Sequence, residues 1–193
     1  DQDELIDHFR AISGATSQPL WIYNFPAMTK LTMEPATIAT LAADGTVVGM
    51  KDSSGAGEAL AELVILCEQN NIEMYRFIGS IYRTTTTKGV GAHGVIPGGS
   101  NLAAASLSKA WEAGEAGDET AAAEHLSKAI ATQKISKLAQ AGGRNAASAS
   151  GVKSALKIMG IIDYDTVTSP MRSLTEEEKA YIPGILREVG LMN

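Results

Sequence analysis

The sequence predicts an α/β protein built on a parallel sheet, and three observations carry that expectation. Four short apolar runs alternate with four longer helical stretches, the pattern of βα units feeding one sheet. Each run ends in small, polar or proline residues that break a strand: Pro26, Ser53-Ser54-Gly55, Gly79-Ser80 and Pro97-Gly98-Gly99. With 193 residues, 45% hydrophobic and 20% charged, the chain is long enough to bury a real core. It is shorter than a complete eight-stranded α/β barrel of about 250 residues.

Taken in order, residues 3 to 15 read as a helix with apolar positions at Leu5, Ile6, Phe9 and Ile12. Residues 19 to 25, rich in aromatic and β-branched side chains, read as the first strand, stopped by Pro26. A loop with Thr29 and Lys30 leads to a helix from Pro35 to Ala43, with proline in its first turn. Asp44-Gly45 turns the chain into a second strand, 46 to 50, followed by Lys51 and a helix over 56 to 70. Met74 to Ile78 is the third strand. Tyr82 to Gly89 is expected as a short helix in spite of four consecutive threonines, each a poor helix former. Gly94 to Ile96 is the fourth strand. Beyond it, 102 to 114, 118 to 141, 148 to 159 and 175 to 189 read as helices, the last with a capping-box start at Thr175 and Gly190 as its stop.

The composition excludes several classes of function. A net charge of -6, from 16 basic and 22 acidic residues, offers no cationic surface for a phosphate backbone, so no nucleic-acid partner is expected. No apolar run of about 18 residues occurs, so no membrane span is expected, and the default location is the cytoplasm. The single cysteine, Cys67, falls on the apolar face of a helical pattern and reads as a buried structural thiol. His8 and His125 lie in helical patterns without metal-ligand spacing, and His93 stands alone on its strand, so no metal site is expected. The first residue is Asp1, inside a helical pattern, which reads as a cut or processed start.

Two residues carry candidate chemistry. Lys51 stands at the mouth of the second strand, 28 residues after Tyr23 in the first. A lysine there is ordinarily a solvated charge, and a tyrosine beside Trp21 and Phe25 is ordinarily one more interior aromatic. Together at strand ends they form the toolkit of a Schiff-base enzyme: an amine that attacks a carbonyl once it has lost its proton, and a phenol that moves protons around it.

The residues Tyr23-Asn24-Phe25-Pro26, followed at this interval by Val48-Gly49-Met50-Lys51-Asp52-Ser53, resemble the signature of the dihydrodipicolinate synthase and N-acetylneuraminate lyase family. Gly91 to Asn101 and Ser169 to Glu178 continue the resemblance, which covers essentially the whole chain. It implies a pyruvate-dependent class I aldolase, lyase or synthase on a (β/α)8 TIM barrel, with Lys51 forming the imine and Tyr23 as proton relay. It implies no cofactor. Ile96, Gly98, Gly99, Ser100, Met28 and Ser53 are implied as substrate-binding positions, the partners being a small keto acid and an aldehyde.

The resemblance also sets what is expected of the whole. Residues 1–101 correspond to strands 5–8 of the family barrel, and 102–193 to its last helix and a carboxyl-terminal helical region. The family's pyruvate-carboxylate segments belong to a first half that is not in this sequence, so the chain alone is expected to be inactive and to pair, the family forming homo-oligomers, dimers or tetramers. A noncatalytic half-barrel acting as an interaction subunit is the alternative. The aldehyde stays open. Dihydrodipicolinate synthases commonly carry arginine where this chain has Met28, Ala27-Met28-Thr29 is closer to the neuraminate lyases, and Ile81 replaces the acidic residue common in sugar-acid aldolases.

Overall fold

The computed structural model describes residues 1–86 and 88–193. Its contacts divide the chain into two compact units, Asp1–Gly98 and Gly99–Asn193.

The first unit is the predicted parallel sheet with helices. Helix α1 (Gln2–Gly14) precedes strand β1 (Trp21–Asn24), the single turn α2 (Pro26–Thr29) and α3 (Pro35–Ala43). Strand β2 (Gly49–Asp52), helix α4 (Gly57–Asn70), strand β3 (Tyr75–Ile78) and strand β4 (Gly94–Val95) follow. The four strands lie in the order β1-β2-β3-β4, every pair parallel. Each crossover passes through helical or turn structure, as parallel neighbours require.

Strand alternation gives the sheet two unlike faces. Ile22, Met50 and Ile78 point to one side and are buried with Ile38 and Leu41 of α3 and Leu60, Leu63 and Cys67 of α4. Leu5, Ile6 and Phe9 of α1 pack against the same core, which explains their helical spacing. Burial pushes the Cys67 thiol up, away from the reactive thiolate, in keeping with a structural role. The other face carries Trp21, Tyr23, Lys51, Tyr75 and Phe77 in register. Trp21 stacks on Tyr75 at 5.8 Å between ring centroids and meets Phe77 at 5.6 Å.

The expected helix at 82–89 is replaced by two short 3-10 turns, Ile81–Arg83 and Lys88–Val90; Thr87, within the expected span, lies outside the described residues. Thr84 is fully buried and its hydroxyl donates to the Ile81 carbonyl at 2.8 Å, a local bond that competes with continued helix.

The second unit is helical: α5 (Ser100–Glu115), α6 (Glu119–Ala131), α7 (Arg144–Ile158), α8 (Glu176–Lys179) and α9 (Ile182–Glu188). The expected helix at 118–141 stops at Ala131 and tightens into a 3-10 segment, Thr132–Lys137. Thr132 donates its hydroxyl to the Ala129 carbonyl at 2.7 Å there. Gly151 of α7 lets that segment approach closely, since a Cβ at 151 would stand 3.1 Å from the Ile135 carbonyl carbon. Ile135, Ala155, Leu174, Ile182 and Leu186 form the unit's core. Two polar knots pin its carboxyl-terminal end. Glu178 accepts from Arg172, Gln140 and Thr175, and the Arg172 guanidinium, ahead of the two backbone amides, lowers its carboxyl to about 2. Asp165 accepts from Lys179 and Lys157 at 2.7 and 3.0 Å and from Ser154 at 3.1 Å, which hold it far below the usual carboxylate range. Among the described residues no helix is long and apolar enough to cross a membrane.

Candidate active site

The site grows from the carboxyl ends of β1 and β2. Parallel pairing sets Tyr23 opposite Lys51 and Asn24 opposite Asp52, so the 28-residue spacing in the sequence is one βα unit that returns in register. Tyr23 is 51% exposed on the open aromatic face and Lys51 is half-buried beside it. The Lys51 Nζ lies over the Tyr23 ring, 4.2 Å from its centroid. A lysine stem turns on several bonds, so rotation about them can carry Nζ from the ring face toward the hydroxyl. Phe25 stacks on Tyr23 at 5.4 Å and limits the ring's freedom.

Glycines make the space. A Cβ at Gly79, just past β3, would meet the Ser53 hydroxyl and stand 3.2 Å from Lys51 Cε. A Cβ at Gly49 would stand 2.6 Å from a Trp21 ring carbon, so the indole lies flat across the backbone of β2 only because that residue is glycine.

The sequence-predicted residues distribute as follows. Ser53 is half-buried, its amide donating to the Asn24 carbonyl at 2.8 Å, the last rung between the two strands. Ile96 lies just past β4, exposed, with its amide on the Ile78 carbonyl at 2.8 Å. Met28 is exposed on α2. Gly98 closes the first unit and is exposed, while Gly99 and Ser100 open the second: Gly99 is buried and its carbonyl accepts from Leu102 and Ala103 at 3.2 Å, starting α5. Tyr23, Lys51 and Ser53 are thus brought together at two adjacent strand ends.

His93 lies elsewhere. It lines a groove of about 550 Å³ with Val47, Met74 and Tyr75, residues that precede or open their strands, so the groove is at the sheet edge opposite Lys51. Its Nδ1 accepts the Arg76 amide at 3.0 Å. Partial burial, and then the Arg76 charge, hold the ring below the ordinary histidine value.

In the sequence, Asn24, Asp52 and Gly79 are given no part in the chemistry. A signal was available for the first two. Both are polar residues at strand positions that alternation turns toward the apolar face, and the Asn24 Nδ2 donates to Asp52 Oδ1 at 2.9 Å in the interior.

The profile of the dihydrodipicolinate synthetase family matches residues 1–189. The 4-hydroxy-tetrahydrodipicolinate synthase of Geobacter sulfurreducens is 32% identical over 196 residues, covering 99% of this chain and 62% of that protein. That of Mesorhizobium japonicum is 30% identical over 193 residues, covering 100% and 62%. Among solved structures, dihydrodipicolinate synthase from Bacteroides thetaiotaomicron superposes with a TM-score of 0.87 at 26% identity, over 97% of this chain and 62% of that one. The Thermotoga maritima enzyme gives 0.83 at 26%, over 100% and 63%. The chain therefore spans about three-fifths of the length of the relatives it matches, and its four-stranded parallel sheet falls within structures of TIM-barrel type.

Proposed function

The chain belongs to the dihydrodipicolinate synthetase family, and from that membership we propose that it carries the imine-forming half of a pyruvate-type Schiff-base aldolase or synthase. The observation that carries the reading is the pairing of Lys51 with Tyr23 at the carboxyl ends of parallel strands, amine over ring at 4.2 Å. That end of the strands is where barrel enzymes place their chemistry.

The neutral Lys51 Nζ attacks the keto carbon of a 2-keto acid, and the carbonyl oxygen takes up a proton to give a carbinolamine. Tyr23 moves the proton: its hydroxyl is the group that protonates the departing oxygen, which leaves as water, and the iminium remains on Lys51. The iminium acidifies the adjacent methyl, which gives up a proton to form an enamine; the enamine carbon then adds to an aldehyde carbonyl as the aldehyde oxygen takes up a proton, and the same steps in reverse cleave the bond and release the aldehyde. Ser53 and the Ile96 backbone are the groups we assign to the edge of the keto-acid pocket, with Gly98, Gly99 and Ser100 offering a backbone turn to a small acid. Met28 faces the aldehyde. In place of an arginine, its thioether favours an aldehyde whose bound end is not a carboxylate.

We place residues 1–101 as strands 5–8 of the family barrel and 102–193 as its closing helix and helical extension. On this reading turnover belongs to a barrel completed by strands outside these residues, in a cytoplasmic homo-oligomer, and these residues alone do not turn over.

The test is pyruvate-dependent turnover by the full protein against a panel of aldehydes with and without a carboxylate, beside Lys51→Arg. The reading expects pyruvate consumption with at least one aldehyde and none in the variant, whose guanidinium stays protonated and cannot attack. Equal turnover by both proteins would sink it.

A further inference from the structure

Asn24 and Asp52 each follow a member of the reacting pair by one residue, so their side chains point to the opposite face of the sheet. That face is apolar, with Ile22 and Met50 only 1% and 2% exposed. Asn24 and Asp52 are 5% and 6% exposed among them, and buried polar groups persist only when they are paired. They are paired with each other and with two loops. Asn24 Nδ2 donates to Asp52 Oδ1 at 2.9 Å, and the Met33 amide donates to Asn24 Oδ1 at 3.2 Å. Ser54 Oγ donates to Asp52 Oδ2 at 2.8 Å and accepts the Ala56 amide at 3.1 Å.

We infer that Asn24 and Asp52 are positioning residues for the reaction proposed above, on which the inference rests. Just beyond them the two strands part, β1 into α2 and β2 into the turn before α4, after the last rung from the Ser53 amide to the Asn24 carbonyl. A side-chain link at that point keeps the final residues of both strands from splaying, and those residues carry Tyr23 and Lys51. Through Met33 the same amide ties down the return of the segment that carries Met28. Asn24 thus joins three parts of the site from behind: the phenol's strand, the amine's strand and the segment beside the pocket.

The directionality of the link makes it testable. Asn24 must donate with its amide nitrogen because its oxygen is already occupied by Met33, so the partner at position 52 must accept. Asn24→Asp sets two carboxylates face to face in the interior, where both cannot stay ionised. Asp52→Asn keeps the acceptor toward Asn24 and turns its new amide nitrogen to Ser54, whose hydroxyl can accept as well as donate. The exchange of both residues restores every bond, with the carboxylate at 24 accepting from Met33 and from the amide at 52.

The experiment measures the rate of imine formation with pyruvate in the full protein by borohydride quenching at timed intervals, for wild type, both single variants and the exchange. Each protein is held well below its own melting midpoint. Asn24→Asp should lose on the order of tenfold to a hundredfold in rate. It should regain rate relative to wild type as pH falls and the two carboxylates share one proton. Asp52→Asn should lose about threefold. The exchange should run within about threefold of Asp52→Asn, far above Asn24→Asp. If wild type forms no adduct, the imine reading itself fails, and this inference with it. If wild type reacts and Asn24→Asp matches it, or the folded exchange reacts no faster than Asn24→Asp, the positioning role is overturned. Should Asn24→Asp not fold, the exchange decides alone: folded and reactive supports the link, while unfolded or unreactive overturns it.

Discussion

Replacing Gly79 with alanine adds one methyl at the point where β3 ends, against the side chains of Lys51 and Ser53. The new Cβ would overlap the Ser53 hydroxyl and stand 3.1 Å from Ser53 Cβ and 3.2 Å from Lys51 Cε. Carbon atoms pack comfortably at about 3.5–4.0 Å, so Lys51 Cε must retreat by about 0.3–0.8 Å. Rotating the Ser53 hydroxyl relieves its overlap but not the Cβ contact, because the Ser53 backbone is fixed by its 2.8 Å bond to the Asn24 carbonyl. Overpacking of this kind costs about 1–3 kcal/mol, and the stiffer unfolded chain returns about 0.4–1 kcal/mol, leaving a net loss near 1–2 kcal/mol. That loss corresponds to a melting-point fall of about 2–8 °C. The rate of imine formation should fall by about tenfold, since a displacement of about 1 Å at a reacting group can cost a hundredfold. The assay is timed borohydride quenching with pyruvate, alongside thermal melting of the full protein. Gly184→Ala serves as the control for melting, because nothing lies within 4 Å of its would-be Cβ. A Gly79→Ala protein with wild-type melting and wild-type adduct formation would refute the claim that this glycine clears the path of Lys51.

Tyr23→Phe keeps the ring under the amine and loses the proton carrier, so it should retain some adduct while turnover falls by roughly a hundredfold or more in steady-state assays; undiminished turnover would remove Tyr23 from the reaction. Gly151→Ala should destabilise by about 1–2 kcal/mol in denaturant unfolding despite the better helix propensity of alanine, because its Cβ would press on the Ile135 carbonyl; a gain in stability would mean that the 3-10 segment yields freely. Partial burial lowers the His93 pKa in the fold, so the unfolded chain takes up this proton first and stability should decline as pH falls below about 6.5 and be flat above it. His93→Asn should lose that part of the pH dependence in chemical denaturation from pH 5 to 8, and an unchanged slope would assign it to other groups.

Much of the fold is legible in the sequence because apolar runs with abrupt stops are strong local signals. Three of the four strands lie within the predicted runs, β2 (Gly49–Asp52) starts later than the expected 46 to 50 and takes in Lys51 and Asp52 beyond it, and Pro35–Ala43 matches to the residue. What was missed involves competition that no periodicity records. At Thr84 and Thr132 a hydroxyl bonds back into its own turn, and helices expected to continue become 3-10 turns. Near the end of the chain, Pro183 enters the first turn of α9, and the single helix expected from 175 to 189 becomes α8 and α9. At the site, the 28-residue spacing anticipates the pairing of Tyr23 with Lys51, since one βα unit separates them. The part played by Gly79 was not legible, because its value lies in what its missing side chain leaves open to residues of a different strand. Asn24 and Asp52 were half-legible: their polarity conflicts with their strand parity, but only the fold shows that each resolves the other's conflict.

Whether Lys51 is the residue that becomes covalently bound to the keto acid is decided by reducing the full protein with borohydride in the presence of pyruvate and mapping the modified peptide. The account predicts one reduced pyruvate adduct per chain, located on Lys51 and absent from Lys51→Ala. An adduct on another lysine, or none in a protein that turns pyruvate over, would contradict it.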